Sequence, residues 1–356
     1  MGQNSKHCRK QIKRNMVQRM KKILITGATG QTASFLCEYV LENHKEYEIH
    51  CTRRWRSREE NISSFRSKVI WHDVEMKDQF NVHYVIEKIK PDRIFVFSAS
   101  SFVRNSWLQP TEYFNENISH LLNVMNSVLM INKIDLDSLK VNLTYNPKIF
   151  VALSSEEYGK VEWGTRIIEE TPLQPISPYG VSKCAADLLA YQYNQSYDLN
   201  VYRFRTFNNE SFRRGHIFVS ASFIKQIALI EAAKIEPILR VGDTSSERDW
   251  LDSKDAVEAI WVGLDKCVPG ECYNICSETH HSIDEFIDRL RELSKVEFKI
   301  KVDESRIRPS DVNWLFGDCT KFKEATGWKP KRDFLKDTVP EMLDYWRKRI
   351  ENEDLV

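Results

Sequence analysis

Tyr179 and Lys183 stand four residues apart in the segment Ser177-Pro-Tyr-Gly-Val-Ser-Lys183, a spacing with chemical content if the segment is helical. Ser177 suits an N-cap and Pro178 the first helical position, so a helix is expected to begin there. Residues at i and i+4 share a helix face, which sets the phenol beside the ammonium. A neighbouring ammonium favours phenolate over phenol and draws the tyrosine pKa down from about 10 toward neutral pH. Such a pair is a general base for an alcohol about to lose hydride. Tyr-x-x-x-Lys pairs are common, so the meaning of this one depends on the elements around it.

Those elements begin near the N-terminus. Lys22-Ile-Leu-Ile-Thr26 reads as a short apolar strand, Gly27-Ala-Thr-Gly30-Gln-Thr-Ala33 as a tight turn, and Ser34 to Glu42 as a helix. Strand, glycine turn and helix in that order bring backbone N–H groups and a helix N-terminus under a pyrophosphate. Gly27, Thr29, Gly30, Gln31 and Thr32 are the residues expected there; the alternative is an ordinary βα turn. A second strand, Glu48 to Arg53, runs into Arg53, Arg54, Arg56 and Arg58. An acid at this strand end would hold the ribose hydroxyls of NAD, whereas Arg53 and Arg54 suit the 2′-phosphate of NADP. NADP is therefore expected rather than NAD. Further strands are expected at Val69 to Asp73, Asp92 to Ala99, Lys148 to Leu153 and Asn200 to Thr206. Between them, Phe114, Ile118, Leu121, Leu122, Met125 and Leu129 form a helical stripe.

The glycine turn, the Tyr179–Lys183 pair and the stretch Ser154-Ser-Glu-Glu-Tyr-Gly159 after the fifth strand together resemble the extended short-chain dehydrogenase/reductase family. The resemblance implies an α/β fold: a Rossmann-type doubly wound parallel sheet with a smaller, mixed α/β C-terminal substrate-binding domain. It implies that Ser154, with Ser155 as the neighbouring candidate, supplies the catalytic hydroxyl, that Asp73, with Val74 beside it, lies at the adenine ring, and that Ala99 passes the nicotinamide ribose. Tyr179 and Lys183 would serve both cofactor binding and catalysis. In the family, the striped helix and the helix carrying Tyr179 form a dimer interface. The expected division is a basic tail over 1–21, an NADP-binding domain over 22–207, and a mainly substrate-binding part over 208–350. Within the last part, 237–275 would partly return to the main sheet through Pro237 to Val241 and Glu271 to Ile275.

Three further segments narrow the resemblance. Phe207-Asn-Asn-Glu-Ser-Phe-Arg-Arg-Gly215 is similar to the Phe-Asn-His-Glu-Ser-Pro-Arg-Arg-Gly of GDP-mannose 4,6-dehydratases, with Asn209 and Phe212 departing from it. Val241-Gly-Asp with Arg248-Asp-Trp250, and Arg306-Ile-Arg-Pro-Ser-Asp-Val312 with Phe316-Gly-Asp-Cys-Thr-Lys321, also resemble that family. The substrate-binding residues this implies are Ser106, Asn208, Glu210, Arg214, Arg248 and Arg308. Planar arginine forks suit the diphosphate of a sugar nucleotide. Glu156, in Ser154-Ser155-Glu156, matches the carboxylate that removes the C5 proton and assists loss of the C6 hydroxyl. Glu157 is expected to point away and to stay out of the chemistry. The activity implied is conversion of GDP-mannose, or a related NDP-hexose, to the 4-keto-6-deoxy sugar with NADP recycled internally. An NADPH-dependent GDP-4-keto-6-deoxy-mannose reductase shares the Ser-Ser-Glu-Glu-Tyr-Gly stretch and stands as the alternative. A sugar-nucleotide-binding protein without catalysis is a further one.

Length and composition bound these readings. A chain of 356 residues suits a nucleotide domain plus a smaller one. A net charge of +1 gives no global field toward nucleic acid or membrane surfaces. No apolar run reaches the roughly 18 residues of a membrane span. The basic N-terminal segment has no apolar stretch of the secretory kind; a transit peptide, a disordered tail or an upstream start codon remain as readings. Eight scattered cysteines without a Cys-x-x-Cys pair fit reduced thiols in a cytoplasmic enzyme. Cys267, Cys272, Cys276, His280 and His281 read as packing residues, so no metal is expected. The partners expected are a small nucleotide-sugar and a second copy or more of the chain, as a homodimer or homotetramer.

Overall fold

A computed structural model describes residues 20–135, 137–307 and 312–352. In chain order the strands are β1 (Lys21–Thr26), β2 (Tyr47–Arg53), β3 (Ile70–Asp73), β4 (Arg93–Val96), β5 (Lys148–Ser154), β6 (Val201–Thr206) and β7 (Asn208–Glu210). They continue with β8 (Ile238–Val241), β9 (Glu247–Asp252), β10 (Cys272–Ile275), β11 (His280–Ser282), β12 (Lys299–Val302) and β13 (Trp314–Leu315). The helices are α1 (Gln31–Asn43), α2 (Gln79–Ile89), the single turn α3 (Val103–Ser106), α4 (Pro110–Ile131), α5 (Pro178–Tyr197) and α6 (Val219–Glu231). After these come α7 (Ser253–Lys266), α8 (Ile283–Leu293), α9 (Thr320–Thr326) and α10 (Val339–Glu351).

Seven strands form one sheet in the order β10-β6-β5-β4-β1-β2-β3, and every pairing in it is parallel. Strands buried on both faces read as near-continuous apolar runs, and successive side chains enter opposite cores. Ile23, Ile25, Phe95, Phe150 and Phe204 join α1 and α7 on one face. Leu24, Ile94, Ile149 and Val201 join α2, α4 and α5 on the other. Strand order reverses between β1 and β4, which opens a crevice at the carboxyl ends of those strands, the usual ligand position in such sheets. A third core, with Phe223, Ile224, Phe286, Leu290, Leu343 and Trp346, holds α6, α8 and α10 together as a cap.

Several expectations are corrected here. Lys21 already belongs to β1, Met20 before it is exposed, and 1–19 of the expected tail lie outside the described residues. Glu271 to Ile275 reaches the main sheet as β10, paired with β6. Pro237 to Val241 does not: β8 pairs with β12 in a separate two-stranded sheet. The reason is its apolar face, since Leu239 and Val241 are buried in the cap core. The stripe on α4 serves two surfaces. Leu121, Met125 and Leu129 are buried in the main core, while Phe114, Ile118 and Leu122 stay partly exposed. No described helix is long and apolar enough to cross a membrane.

Candidate active site

Helix α5 begins where the sequence places it. The Ser177 hydroxyl accepts the Gly180 N–H at 3.0 Å, and Pro178 occupies the first turn. Tyr179 and Lys183 follow one turn apart, and both are buried. β5 delivers Ser154 to the same place and ends in a single 3-10 turn, Ser155–Glu157. Ser154 Oγ accepts the Glu156 N–H at 3.2 Å, and the Ser154 side chain favours the ionised form of the Tyr179 phenol. Gly180 is what lets helix and turn meet: a Cβ there would lie 2.7 Å from the Glu156 carbonyl oxygen. Glu156 is partly exposed, and its carboxylate acts electrostatically on Tyr179. Ser154, Glu156, Tyr179 and Lys183 all line one cleft of about 450 Å³ at the strand-order reversal.

The electrostatics correct one expectation. Burial raises the Tyr179 pKa rather than leaving it lowered; the Ser154 hydrogen bond and the Arg214 charge oppose that rise, and Glu156 and Glu157 reinforce it. Lys183 is engaged elsewhere. Its Nζ donates to the Ala152 carbonyl at 2.8 Å and sits 5.8 Å from the Tyr179 ring centre. Burial lowers the Lys183 pKa to about 8, against the pull of Glu157.

The opposite wall is the glycine turn. Gly27 adopts φ +62, and a Cβ on it would meet Ser98 Cα at 3.0 Å, so only glycine fits between β1 and the end of β4. Gly30 precedes α1 with no side-chain cap and no acid in the first turn, leaving helix N–H groups for an anion. Gly27, Gly30, Gln31, Thr32 and Ala99 line the cleft. This cradle fits a dinucleotide pyrophosphate. Thr29 lies off the cleft wall, its carbonyl accepting the Asn61 amide at 3.0 Å. Arg53 was expected at a 2′-phosphate, yet it is ion-paired to Glu59 and to Asp73 at 3.1 Å and lies over Trp71. Its charge is neutralised by Glu59 in the following loop and by Asp73 at the end of β3, and Asp73 is occupied by it. Val74 is buried beside them. Arg54 is exposed, 3.8 Å from Glu116.

The cap closes the cleft with Asn208, Glu210, Arg214 and Arg248. Arg214 packs its guanidinium 3.7 Å from the Phe218 ring centre. Its Nε lies 3.6 Å from the Glu210 carboxylate without a hydrogen bond. Glu210, expected to bind substrate, is buried and anchors both Arg214 and the Ser220 hydroxyl. The Asn209 Oδ1, where the family pattern has histidine, is buried without a hydrogen-bond partner. Gln31 crosses between the halves, donating to the Asn209 carbonyl at 3.1 Å and to the Ser253 hydroxyl at 2.7 Å. Ser106 is buried in α3, donates to the Val103 carbonyl, and does not reach the cleft. Arg308 lies outside the described residues. An adjoining recess of about 620 Å³ is lined by Arg104, Lys160 and Arg306, which the sequence reading missed.

Beneath β5 lies a buried charge network, also missed. Asp187 accepts from Arg205 at 2.6 and 3.0 Å and from Arg203 at 2.5 Å. Arg205 also donates to the Tyr158 hydroxyl at 3.0 Å and faces Glu157 at 3.4 Å. The signals were present: Asp187 is one turn beyond Lys183, and two arginines alternate inside an apolar strand, where lone charges are costly.

The sequence profile described as GDP-mannose 4,6 dehydratase matches residues 24–342. GDP-mannose 4,6 dehydratase 1 of Arabidopsis thaliana is 31% identical over 345 residues, covering 93% of this chain and 91% of that one. The human GDP-mannose 4,6 dehydratase is 31% identical over 361 residues, covering 90% of each. Among solved structures, RMD from Pseudomonas aeruginosa complexed with NADPH superimposes with a TM-score of 0.76 at 24% identity, over 92% of this chain and 100% of that one. The last likeness concerns the fold alone.

Proposed function

The chain belongs to the GDP-mannose 4,6 dehydratase family, and from that membership we propose that it converts GDP-mannose to the 4-keto-6-deoxy sugar with NADP recycled. The observation that carries the chemistry is Glu156, a carboxylate in the cleft wall within the electrostatic reach of Tyr179. Gly27, Gly30, Gln31 and Thr32 would hold the cofactor pyrophosphate, and Ala99, Tyr179 and Lys183 its nicotinamide ribose. Arg54, more exposed than the neutralised Arg53, is the candidate for the 2′-phosphate. When bound, NADP supplies the acceptor for the C4 hydride and returns that hydride at C6.

The chain's own groups handle the protons. Tyr179, ionised to the phenolate with Ser154 and the Arg214 charge opposing the rise that burial imposes, takes the proton of the C4 hydroxyl on Oη while Ser154 Oγ donates to the same oxygen. The resulting ketone acidifies C5–H. The Glu156 carboxylate removes that proton and gives it to the C6 hydroxyl, which departs as water. A proton delivered to C5 balances the one Tyr179 took up. Lys183, its Nζ 5.8 Å from the Tyr179 ring centre, adds positive charge to this wall, and the basic lining of the adjoining recess suits the nucleotide diphosphate.

A homodimer through α4 and α5 fits the surface. Val181, Leu188 and Tyr191 are exposed on α5, beside the partly exposed Phe114, Ile118 and Leu122 of α4. The seven described cysteines are buried thiols, which supports a reducing compartment, the cytoplasm.

The test is incubation with GDP-mannose and a catalytic amount of NADP. The proposal expects 4-keto product without net NADPH. Stoichiometric NADPH consumption, seen only with a keto sugar, would identify a reductase instead. Glu156→Gln should reduce turnover by about 10²-fold or more while leaving NADP affinity unchanged. Full turnover in that variant removes Glu156 from the mechanism.

A further inference from the structure

We propose that Glu157, the acid following Glu156, is a positioning residue whose buried carboxylate fixes the Ser154 hydroxyl and supplies the counter-charge of Lys183. The inference rests on the roles given above to Ser154, Tyr179 and Lys183. Glu157 is fully buried. Its Oε1 accepts the Ser154 N–H at 2.8 Å, so the end of β5 is held by this side chain at the residue whose hydroxyl meets Tyr179. Its Oε2 makes no hydrogen bond and lies 3.4 Å from Arg205 Nε.

An amide would cap the same turn at far lower cost, because a glutamine carbonyl can accept the Ser154 N–H without a charge being buried. A carboxylate at this depth needs cations, and Arg205 is already matched by Asp187 through two short contacts. Asp187 is further shared with Arg203. The cluster thus sets three cations, Lys183, Arg203 and Arg205, against Asp187 alone unless Glu157 is counted. The stripe Tyr179, Lys183, Asp187 on α5 faces this cluster, with Asp187 tied to Glu157 through Arg205.

The groups around Glu157 are Lys183, Cys184 and Asp187 on α5, Arg205 on β6, Cys272 on β10, and the phenols of Tyr158 and Tyr179. Burial and then Asp187 lift Glu157 to about 8, while Arg205, the Ser154 N–H and Lys183 hold it down. Burial brings Lys183 down to about 8, and Glu157 opposes that fall. Both side chains are bound to the same strand end, Glu157 at the Ser154 N–H and Lys183 at the Ala152 carbonyl two residues earlier on β5, and each stabilises the other's charge.

Glu157→Gln separates charge from shape. With the charge gone, Lys183 should lose its proton at lower pH. The basic limb of the kcat profile on GDP-mannose should then move down by about one pH unit or more, with KM unchanged. Isotope-labelled lysine NMR, with Lys183→Met assigning the resonance, should show the Lys183 titration moving the same way without any need for turnover. A lysine titration and a basic limb both at their wild-type positions would overturn the counter-charge role. If Glu157→Gln does not fold, Glu157→Asp carries the test. It keeps the charge and shortens the reach, so kcat should fall about tenfold with the basic limb in place. Wild-type kcat in Glu157→Asp would overturn the placement of Ser154. Absence of turnover on GDP-mannose by the wild-type protein would sink the dehydratase reading instead, and the lysine titration would still decide the link between Glu157 and Lys183.

Discussion

Gly180→Ala places a methyl group where the start of α5 touches the turn that carries Glu156. The new Cβ would lie 2.7 Å from the Glu156 carbonyl oxygen, 2.9 Å from Pro175 Cβ and 3.3 Å from Ser177 Oγ, where ordinary contact begins at 3.4 Å. Two of these neighbours are a backbone atom and a proline ring, which cannot swing aside. Helix and turn must part by roughly half an ångström in so closely packed a region. Overpacking of this kind costs about 1–3 kcal/mol. For a chain of 356 residues, an unfolding entropy of ~2.1 cal/mol/K per residue turns that cost into a Tm loss of only about 1–4 °C. Catalysis is the more sensitive readout, because a misplacement of about 1 Å between reacting groups can cost 10²-fold. The expected result is a fall in kcat/KM of about tenfold or more. Paired thermal melts and initial rates on GDP-mannose measure both effects. A variant with kcat/KM within about twofold of wild type would refute the claim that this contact sets the spacing of Tyr179 and Glu156.

Other perturbations test separate parts of the structure. Lys183 titrates at about 8 in the fold against an ordinary 10.5, so the unfolded chain binds more protons across that window and stability rises with pH through it. Below pH 8 the buried ammonium costs about 3 kcal/mol, less about 1 kcal/mol for its bond to the Ala152 carbonyl. Lys183→Met should therefore abolish turnover and flatten the rise in Tm that the wild type shows between pH 8 and pH 10.5. A rise in Tm across that window as large as the wild type's would contradict this. Arg205→Leu leaves Asp187 and Glu157 short of positive charge, and thermal melts should show a loss of about 3–5 kcal/mol. Leu188→Glu, at a site 58% exposed on α5, should yield monomers in sedimentation with the melting temperature of the fold retained. Dimers at micromolar concentration in that variant would move the interface elsewhere.

The parallel sheet and the gathering of Ser154, Glu156, Tyr179 and Lys183 on one cleft were legible because both are written in local spacing. Apolar runs bounded by turns gave the strands, and Ser177-Pro-Tyr with Lys183 fixed the start of α5. Partner choice is less local. β8 carries a strand pattern like that of β4, and its place was decided by Leu239 and Val241 facing cap helices distant in sequence. Arg53 shows the same limit, since an arginine-rich loop does not reveal that Glu59 and Asp73 neutralise it. The Tyr179 pKa failed for a different reason. Spacing set the ammonium one turn away but said nothing of burial, the largest influence on the phenol, nor of the Ala152 carbonyl that draws Lys183 Nζ to itself. Arg203, Arg205 and Asp187 could have been suspected from charges alternating within an apolar strand, though their pairing needed coordinates.

The return of β10 to the edge of the main sheet means that no single cut in the chain separates its two halves. Ending the polypeptide after Phe207 would strip β6 of the neighbour it pairs with from Arg203 to Thr206 and leave a bare, apolar edge open to aggregation. It would also take away α7, whose Ile260 and Trp261 cover Phe95 on one face of the sheet. The nucleotide-binding half is thus finished only after the first cap segments have been synthesised, and expression of either half alone should give insoluble material.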